Sequence, residues 1–278
     1  PLLYRSFYSR GTAGLKTSSG KMSGGFYGFL RSFLSLQKRL NPSCYIFVFD
    51  GGLSGRDKIF DGYKPNSRET SDKPNGFREQ LTHIEEFLRC VGLPVFLLHG
   101  VEADDIISIL TRAWIQLQGG NVVIVSSDRD FLQLVSPDVL LYDDRAKKCY
   151  GPAEVENEFQ VPIEYFLAYK CLIGDVADHI PAVPGFTPKR AKERIGDQDY
   201  GMETPEHRRA FTRNYGLIKL PRSLRQVPNQ SKSTCDDFAY YVRRLFEEFK
   251  IGNYAITHKA VNMDRARELF SLYEIKSM

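Results

Sequence analysis

No apolar run in this chain approaches the roughly 20 residues that cross a bilayer. The N-terminal residues PLLYRSFYSR carry no hydrophobic secretory segment. The expectation is a cytoplasmic protein with no membrane partner. Cysteine is sparse: Cys44, Cys90, Cys149, Cys171 and Cys235 are odd in number, widely spaced and without a C-x-x-C pair. That pattern points away from disulfides and thiolate zinc sites and towards reduced thiols. His83, His99, His207 and His258 stand in no ligand or catalytic spacing. Internal repeats and low-complexity segments are absent, which excludes a repeat array. What remains is an ordinary globular composition, 42% hydrophobic and 26% charged over 278 residues, enough for one large domain or two modest ones.

Charge is not scarce, and its placement is informative. The net charge is +4, but the stretch Val101–Phe131, VEADDIISILTRAWIQLQGGNVVIVSSDRDF, gathers Glu102, Asp104, Asp105, Asp128 and Asp130 with few basic residues. Ile106, Ile107, Leu110, Ala113, Trp114 and Leu117 recur at helical spacing, Gly119-Gly120 stop the helix, and Val122–Val125 suit a buried parallel strand. Three acids then fall in the first turn of the helix. Asp128 and Asp130 follow the strand, where an extended backbone would aim both the same way. Taken singly, each cluster is ordinary capping and turn chemistry. Together they would repel one another at the strand edge where α/β sheets bind ligands, and divalent cations are the usual remedy. A negative pit in an otherwise basic surface suits a polyanion cut at a metal site.

Elsewhere the pattern alternates strand and helix. Residues 11–25 read as a loop, Phe26–Leu40 as a helix ended by Asn41-Pro42, and Tyr45–Phe49 as a strand running into Asp50-Gly51-Gly52. From Gly55 to Gln80 a polar arm carries Arg56, Lys58, Lys64, Arg68, Lys73 and Arg78. Within it Tyr63-Lys64 pairs an aromatic with a cation, as suits an unstacked base and a phosphate backbone. A helix over Glu79–Val91 and a strand over Pro94–Leu98 lead back to the acidic stretch. Val139–Tyr142 and Lys148–Tyr150 can form a hairpin, and Pro152–Gln160 and Pro162–Ile173 read as helices with proline in the first turn.

A second informative stretch is GDVADHIPAVPGFTPKRAKERIG, residues 174–196. Asp175 and Asp178 lie three apart and would share a face of a helical turn. Gly185 centres a turn ahead of a helix with Lys189, Arg190, Lys192 and Arg194, an arrangement that offers amides and cations to a phosphate. A capped, solvated surface helix would read the same way. Residues 197–234 suggest helix and loop, and Phe238–Phe249 and Arg265–Tyr273 are further amphipathic helices.

The succession FDG, YKPNSR, VEADD, SSDRDF, GDVADHIPAVPGF and KRA resembles the 5′-nuclease superfamily, in particular bacteriophage flap endonucleases and the 5′-to-3′ exonuclease domain of bacterial DNA polymerase I. The match runs over about residues 26–196, with ARELFSLYEIKSM similar to the close of the polymerase domain. The resemblance implies an α/β fold of PIN-like core, with a mostly parallel central sheet flanked by helices. Residues 1–160 would form that core, with a helical arch at about 53–85. Residues 161–278 would form a helical DNA-binding region with a helix-three-turn-helix module at about 163–196. It implies two divalent ions, magnesium or manganese, held by Asp50, Glu102, Asp104, Asp105, Asp128, Asp130, Asp175 and Asp178, and potassium at the helix-three-turn-helix. Asp50, Glu102 and Asp104 would form one metal site, and Asp128, Asp130, Asp175 and Asp178 the other, with Asp105 serving either through water.

Lys64 matches the arch lysine that contacts the scissile phosphate, and Arg68 its arginine companion, here separated by an extra Ser67. Gly185, Lys189 and Arg190, with Lys192 beside them, fall on the DNA-gripping turn and helix. The implied activity is 5′-to-3′ exonuclease or flap endonuclease cleavage of DNA with 5′ ends, flaps or branches, in replication or repair, by a monomer in a bacterial or phage-infected cytoplasm. Members carry a further metal-binding Asp on a strand that would precede Pro1. They also commonly have a second glycine in the turn that here reads Gly185-Phe186-Thr187, and asparagine where His179 stands. Two alternatives stay open at this point: a non-catalytic structure-specific DNA-binding relative lacking that first-strand ligand, and a relative that cuts RNA.

Overall fold

The apolar spacing that predicts helices and strands is realised in a computed structural model that describes residues 2–9, 11–64, 76–118, 120–196, 200, 202–221 and 263–274. The Phe238–Phe249 helix, Arg68 and the centre of the arch lie outside the described residues. The chain divides into two compact units, the first drawn from Pro1–Phe49, Glu69–Phe96 and Arg243–Met278, the second from Asp50–Arg68 and Leu97–Val242.

The first unit contains α1 (Leu2–Tyr8), α2 (Gly24–Leu40), β1 (Phe47–Phe49), α3 (Phe77–Cys90), β2 (Val95–Leu97), at whose last residue the chain passes to the second unit, and α9 (Met263–Leu272). Phe26, Phe29, Leu30 and Leu36 recur at helical spacing and form the buried face of α2. The helix ends where predicted. Asn41 takes the left-handed conformation and its N–H donates to the Gln37 carbonyl, an arrangement asparagine tolerates better than most residues. Helix α9 docks on α2 and α3 through aromatic rings: Tyr273 stacks on Phe26 with centroids 4.6 Å apart, and Phe270 stacks on Phe87 at 5.2 Å. Polar clasps flank the rings. Arg265 reaches Glu86 at 2.6 Å, and the Glu274 carboxylate accepts the Ser18 N–H at 2.9 Å.

The second unit holds α4 (Ala103–Gln118), β3 (Val122–Val125), β4 (Val139–Asp143), β5 (Lys148–Tyr150), α5 (Pro152–Phe159), α6 (Phe166–Ile173), α7 (Pro188–Gly196) and α8 (Pro205–Ile218). β3 and β4 pair in parallel, Val122 opposite Val139, and β5 returns antiparallel to β4 as the predicted hairpin. The α/β class is as expected, with the ladders in a two-stranded and a three-stranded sheet among the described residues. One core joins the sheet to the helices after it, through Ile124, Phe131, Leu132, Leu141, Phe166 and Leu172.

Three local expectations are corrected. The segment 162–173 is not one helix: a 3-10 turn at Ile163–Tyr165 precedes α6. Asp128 and Asp130 do not share an extended strand, because Asp128 caps a 3-10 helix, Arg129–Leu134, that begins at once after it. Asp175 and Asp178 do not lie on a helix. Residues 175–180 form a tight turn closed by paired hydrogen bonds between Asp175 and Ile180 at 2.7 and 2.8 Å. Gly174 starts this turn with φ +70°, and a Cβ there would lie 2.3 Å from the Ile180 carbonyl oxygen, so helix α6 has to stop.

His83 in α3 gives the α9 clasp a pH dependence. Its Nδ1 lies 2.6 Å from the Tyr273 hydroxyl. Burial first, and then the Lys21 and Arg265 cations, hold the imidazole below its ordinary range against the pull of Glu79 and Glu86. The folded chain therefore resists protonation. The stabilisation is complete above the usual imidazole value of about 6.5 and is lost as pH falls through and below it. His83→Gln retains a hydrogen-bonding group for Tyr273 and does not titrate. The fall in urea midpoint between about pH 7.5 and about pH 5.5 should shrink in that variant, and an unchanged fall would remove His83 as its source.

Candidate functional site

The acidic residues meet in the second unit, and close backbone approach brings the first of them in. Directly after Asp50, the Gly51 N–H donates to the Val101 carbonyl at 3.0 Å, and the Gly100 N–H donates back to the Gly51 carbonyl at 2.7 Å. A Cβ on Gly51 would fall 1.9 Å from the Leu98 carbonyl oxygen, so only glycine fits this crossing. The crossing sets Asp50 beside the segment that opens α4. Asp50 sits at the exposed lip of the site with its Oδ1 accepting the Gly52 N–H. Loss of surrounding water, then Glu102, pushes its carboxyl above the ordinary range.

Glu102 lies one residue ahead of α4, fixed by its N–H to the Ser54 hydroxyl at 2.8 Å, whereas Asp104 and Asp105 occupy the first turn. The three acids then separate by direction. Asp105 is fully buried, and both its oxygens accept from Arg56, at 2.8 and 2.9 Å. Arg56 also bonds the Glu102 Oε2, and its Nε donates to the Leu217 carbonyl at 2.8 Å. The other Glu102 oxygen accepts from Tyr63 at 3.2 Å and Lys64 at 2.9 Å. Lys64 spans to Asp178 at 3.4 Å. Burial opposes the Lys64 and Arg56 charges, but Glu102 together with Tyr63 and Asp178 around Lys64, and Glu102 together with Asp105 around Arg56, outweighs it, and both stay well above their ordinary range.

The geometry corrects the expectation for Tyr63 and gives Asp105 a partner that the sequence did not suggest. Tyr63 is only 4% exposed, its ring packed in a cluster with Ile180, Leu217 and Ile218, so it is not presented as a stacking platform for a base. Asp105 has both carboxylate oxygens bonded to Arg56, which it shares with Glu102.

The other acids gather around Lys170. Its ammonium bonds Asp175 and lies 3.1 Å from Asp130. Asp128 Oδ1 accepts the Asp130 N–H at 2.9 Å, and Asp175 Oδ1 accepts the N–H of Ala177 at 2.8 Å. Burial, then Asp128, pushes the Asp104 carboxyl up to about 7. Asp130 rises to about 6 from burial, with Lys170 opposing and Asp128 and Asp175 adding. Asp178 is raised by burial against Lys64. Burial also opposes the Asp175 charge, but the Lys170 hydrogen bond and charge outweigh it and hold that carboxyl below the ordinary range.

Among the described residues no three acidic, histidine or cysteine side chains converge in a metal cage. Cations stand between the acids instead. The donor set nonetheless fits hard divalent ions: it is carboxylate oxygen throughout, and burial, with neighbouring carboxylates adding, raises Asp104 and Asp130. Arg56 and Lys170 were not singled out by sequence reasoning. Arg56 is one of six cations in the polar arm, and Lys170 falls inside the segment read as the Pro162–Ile173 helix.

The second predicted basic feature lies on the same unit. Lys189 is largely exposed, with Glu193 3.9 Å away. Arg190 folds back, donating to the Gly185 carbonyl at 3.0 Å and lying 5.0 Å from the Phe186 ring centroid, and Lys192 is half-buried. Arg68 lies outside the described residues.

Comparison with known proteins adds to this geometry. The family model described as 5′-3′ exonuclease, N-terminal resolvase-like domain, matches residues 1–160. The 5′-3′ exonuclease of Aquifex aeolicus is 35% identical over 190 residues, covering 68% of this chain and 64% of that protein. DNA polymerase I of Pseudomonas aeruginosa is 35% identical over 202 residues, 72% of this chain and 22% of the polymerase. The chain thus spans somewhat less than two thirds of the first relative and about a fifth of the second. In fold, the bacteriophage T5 flap endonuclease, crystallised as a pseudo-enzyme-product complex with DNA and metal ions, superposes with a TM-score of 0.60 at 19% identity, covering 90% of this chain and 91% of that one.

Because Gly51 carries the crossing that seats Asp50, Gly51→Ala must push two backbone segments apart. Overpacking of this kind costs about 1–3 kcal/mol, and the loss should appear as a lower urea midpoint. An unchanged midpoint would show that the crossing yields without strain.

Proposed function

The chain belongs to the 5′-3′ exonuclease family, and from that premise we propose that it hydrolyses phosphodiesters of DNA bearing 5′ ends, flaps or branches, as a monomer with two divalent ions, magnesium or manganese. One observation carries this reading: Asp50, Glu102, Asp104, Asp128, Asp130, Asp175 and Asp178, from four separate segments, line one partly desolvated place that also presents Lys64. Such a set holds more negative charge than Lys64 and Lys170 balance, and a divalent cation is the natural complement. When bound, the two ions would activate water and neutralise the departing oxygen.

The protein's own groups divide the remaining work. Asp50, Glu102 and Asp104 would hold one ion, and Asp128, Asp130, Asp175 and Asp178 the other. Lys64 remains an ammonium at any working pH because Glu102 and Asp178 hold its charge. It stands at the half-buried edge of the site, where a cation would stabilise charge on the transferring phosphoryl group. Arg68, on the strength of the family resemblance, would add a second cation there. The segment from Gly185 through Lys189, Arg190 and Lys192 would grip duplex phosphates, as in a helix-three-turn-helix. A potassium ion there would compete with Arg190 for the Gly185 carbonyl.

Cleavage of a 5′-flap substrate in Mg²⁺ tests the chemistry. Asp128→Asn should lower the rate by about a hundredfold or more, since metal-derived charge stabilisation amounts to several kcal/mol, and a chelator should abolish cleavage. Equal rates for the two proteins would overturn the metal assignment.

For the grip, Lys189→Ala with Arg190→Ala should flatten the salt dependence of duplex affinity by about one to two units of slope. A slope equal to wild type would exclude that helix as the anchor.

A further inference from the structure

Arg56 is among the largest fully buried side chains in the protein, at 2% exposure, and no part of it faces solvent from which DNA would approach. Its guanidinium is nevertheless fully directed. Nη1 and Nη2 form a two-pronged fork on Asp105, at 2.8 and 2.9 Å, which fixes the plane of the group. Nε donates to the Leu217 carbonyl near the end of α8 at 2.8 Å, which fixes its tilt. The remaining contact is Nη1 to Glu102 Oε2. Glu102 is thereby held by one oxygen from inside the protein, and its Oε1 is left on the side of Tyr63 and Lys64.

We infer that Arg56 is a positioning residue that holds Glu102 so that a single carboxylate oxygen is turned to the site, and that Asp105 is the anchor of Arg56 and not a metal ligand. The inference rests on the nuclease reading for the identity of the ligand that Glu102 serves. Two features distinguish this arrangement from a simple buried ion pair. Asp105 has no exposed surface and both its oxygens accept from Arg56, so the buried fork, and not an open lip of the site, is where its charge is engaged. Lysine cannot reproduce the function, because a single ammonium cannot make the fork and the two further contacts in one rigid plane.

The test is direct titration of metal-free protein with Mn²⁺, counting bound ions and measuring affinity, alongside the Mn²⁺ dependence of flap cleavage. Asp105→Asn should bind as many ions as wild type. Arg56→Lys should also keep the number and lose affinity by about 10- to 100-fold, the usual effect of disturbing a partner that orients a ligand. Its half-saturating Mn²⁺ concentration should rise correspondingly, while the rate at saturating Mn²⁺ stays within about tenfold of wild type. Should either single change leave a buried charge that prevents folding, Arg56→Met with Asp105→Leu removes both charges together, and it should show the same loss of affinity with the number unchanged. One ion fewer in Asp105→Asn or in the double variant overturns the anchor role. Wild-type affinity in Arg56→Lys or in the double variant overturns the positioning role. Failure of the wild-type protein to cleave the flap would count against the nuclease reading, whereas the binding data would still decide the role of Arg56.

Discussion

Mutual repulsion among carboxylates is the constraint on which this structure turns. At an effective dielectric of about 20, two like charges about 4 Å apart cost about 4 kcal/mol, and this unit brings acids from four segments into one partly buried place. Three cations, two from the 56–64 segment and one from α6, answer that cost. Arg56 bonds Glu102 and Asp105, Lys64 bridges Glu102 and Asp178, and Lys170 joins Asp130 to Asp175. At Asp104, which no cation bonds among the described residues, burial first and then Asp128 raise the carboxyl towards neutrality.

Outside the first turn of α4, several of the acids are seated by irregular backbone, and that is how the site stays dense. A helix or strand spaces its residues on a fixed period, whereas a close turn folds neighbouring oxygens back onto its own N–H groups. Asp128 caps a 3-10 turn, Asp175 satisfies the N–H groups of its own tight turn, and Asp50 receives Gly52. Each of these three carboxylates therefore has one oxygen held locally by the main chain. The regular elements, chiefly β3, β4 and α4, supply the rigid frame from which these turns project.

Much of the frame was legible in the sequence. Val122–Val125 read as a strand because four apolar residues stand between a glycine stop and polar turn residues, and the structure places β3 over the same four. The acids could be found because they crowd within short stretches. What could not be read was their geometry and their partners. The period of a sequence extends a local pattern, so the spacing of Asp175 and Asp178 suggested a helical face, but Gly174 turns the chain out of the helix just before them. Arg56 lies 46 and 49 residues from the acids it bonds, and nothing local distinguishes it from Lys58 or Arg78. Tyr63 illustrates the same limit: an aromatic beside a lysine reads as a surface pair, and only the fold shows its ring packed inside.

The three cations are not equivalent, and burial separates them. The side chains of Arg56, Lys170 and Lys64 are 2%, 13% and 26% exposed. A guanidinium fully enclosed, forked on Asp105 and tied to a main-chain carbonyl has no alternative partner, so its charge is a permanent part of the site. An ammonium at the edge is different. Lys64 is a flexible chain with three donors, held by carboxylates that a divalent ion would also attract. If one such ion takes over Glu102 and the other Asp178, the attraction fixing Lys64 weakens while the net charge around it becomes more favourable to an anion. On the proposed reading, the same carboxylates that hold Lys64 in the metal-free protein would release it towards phosphate once metal is bound, whereas Arg56 would keep Glu102 in place throughout.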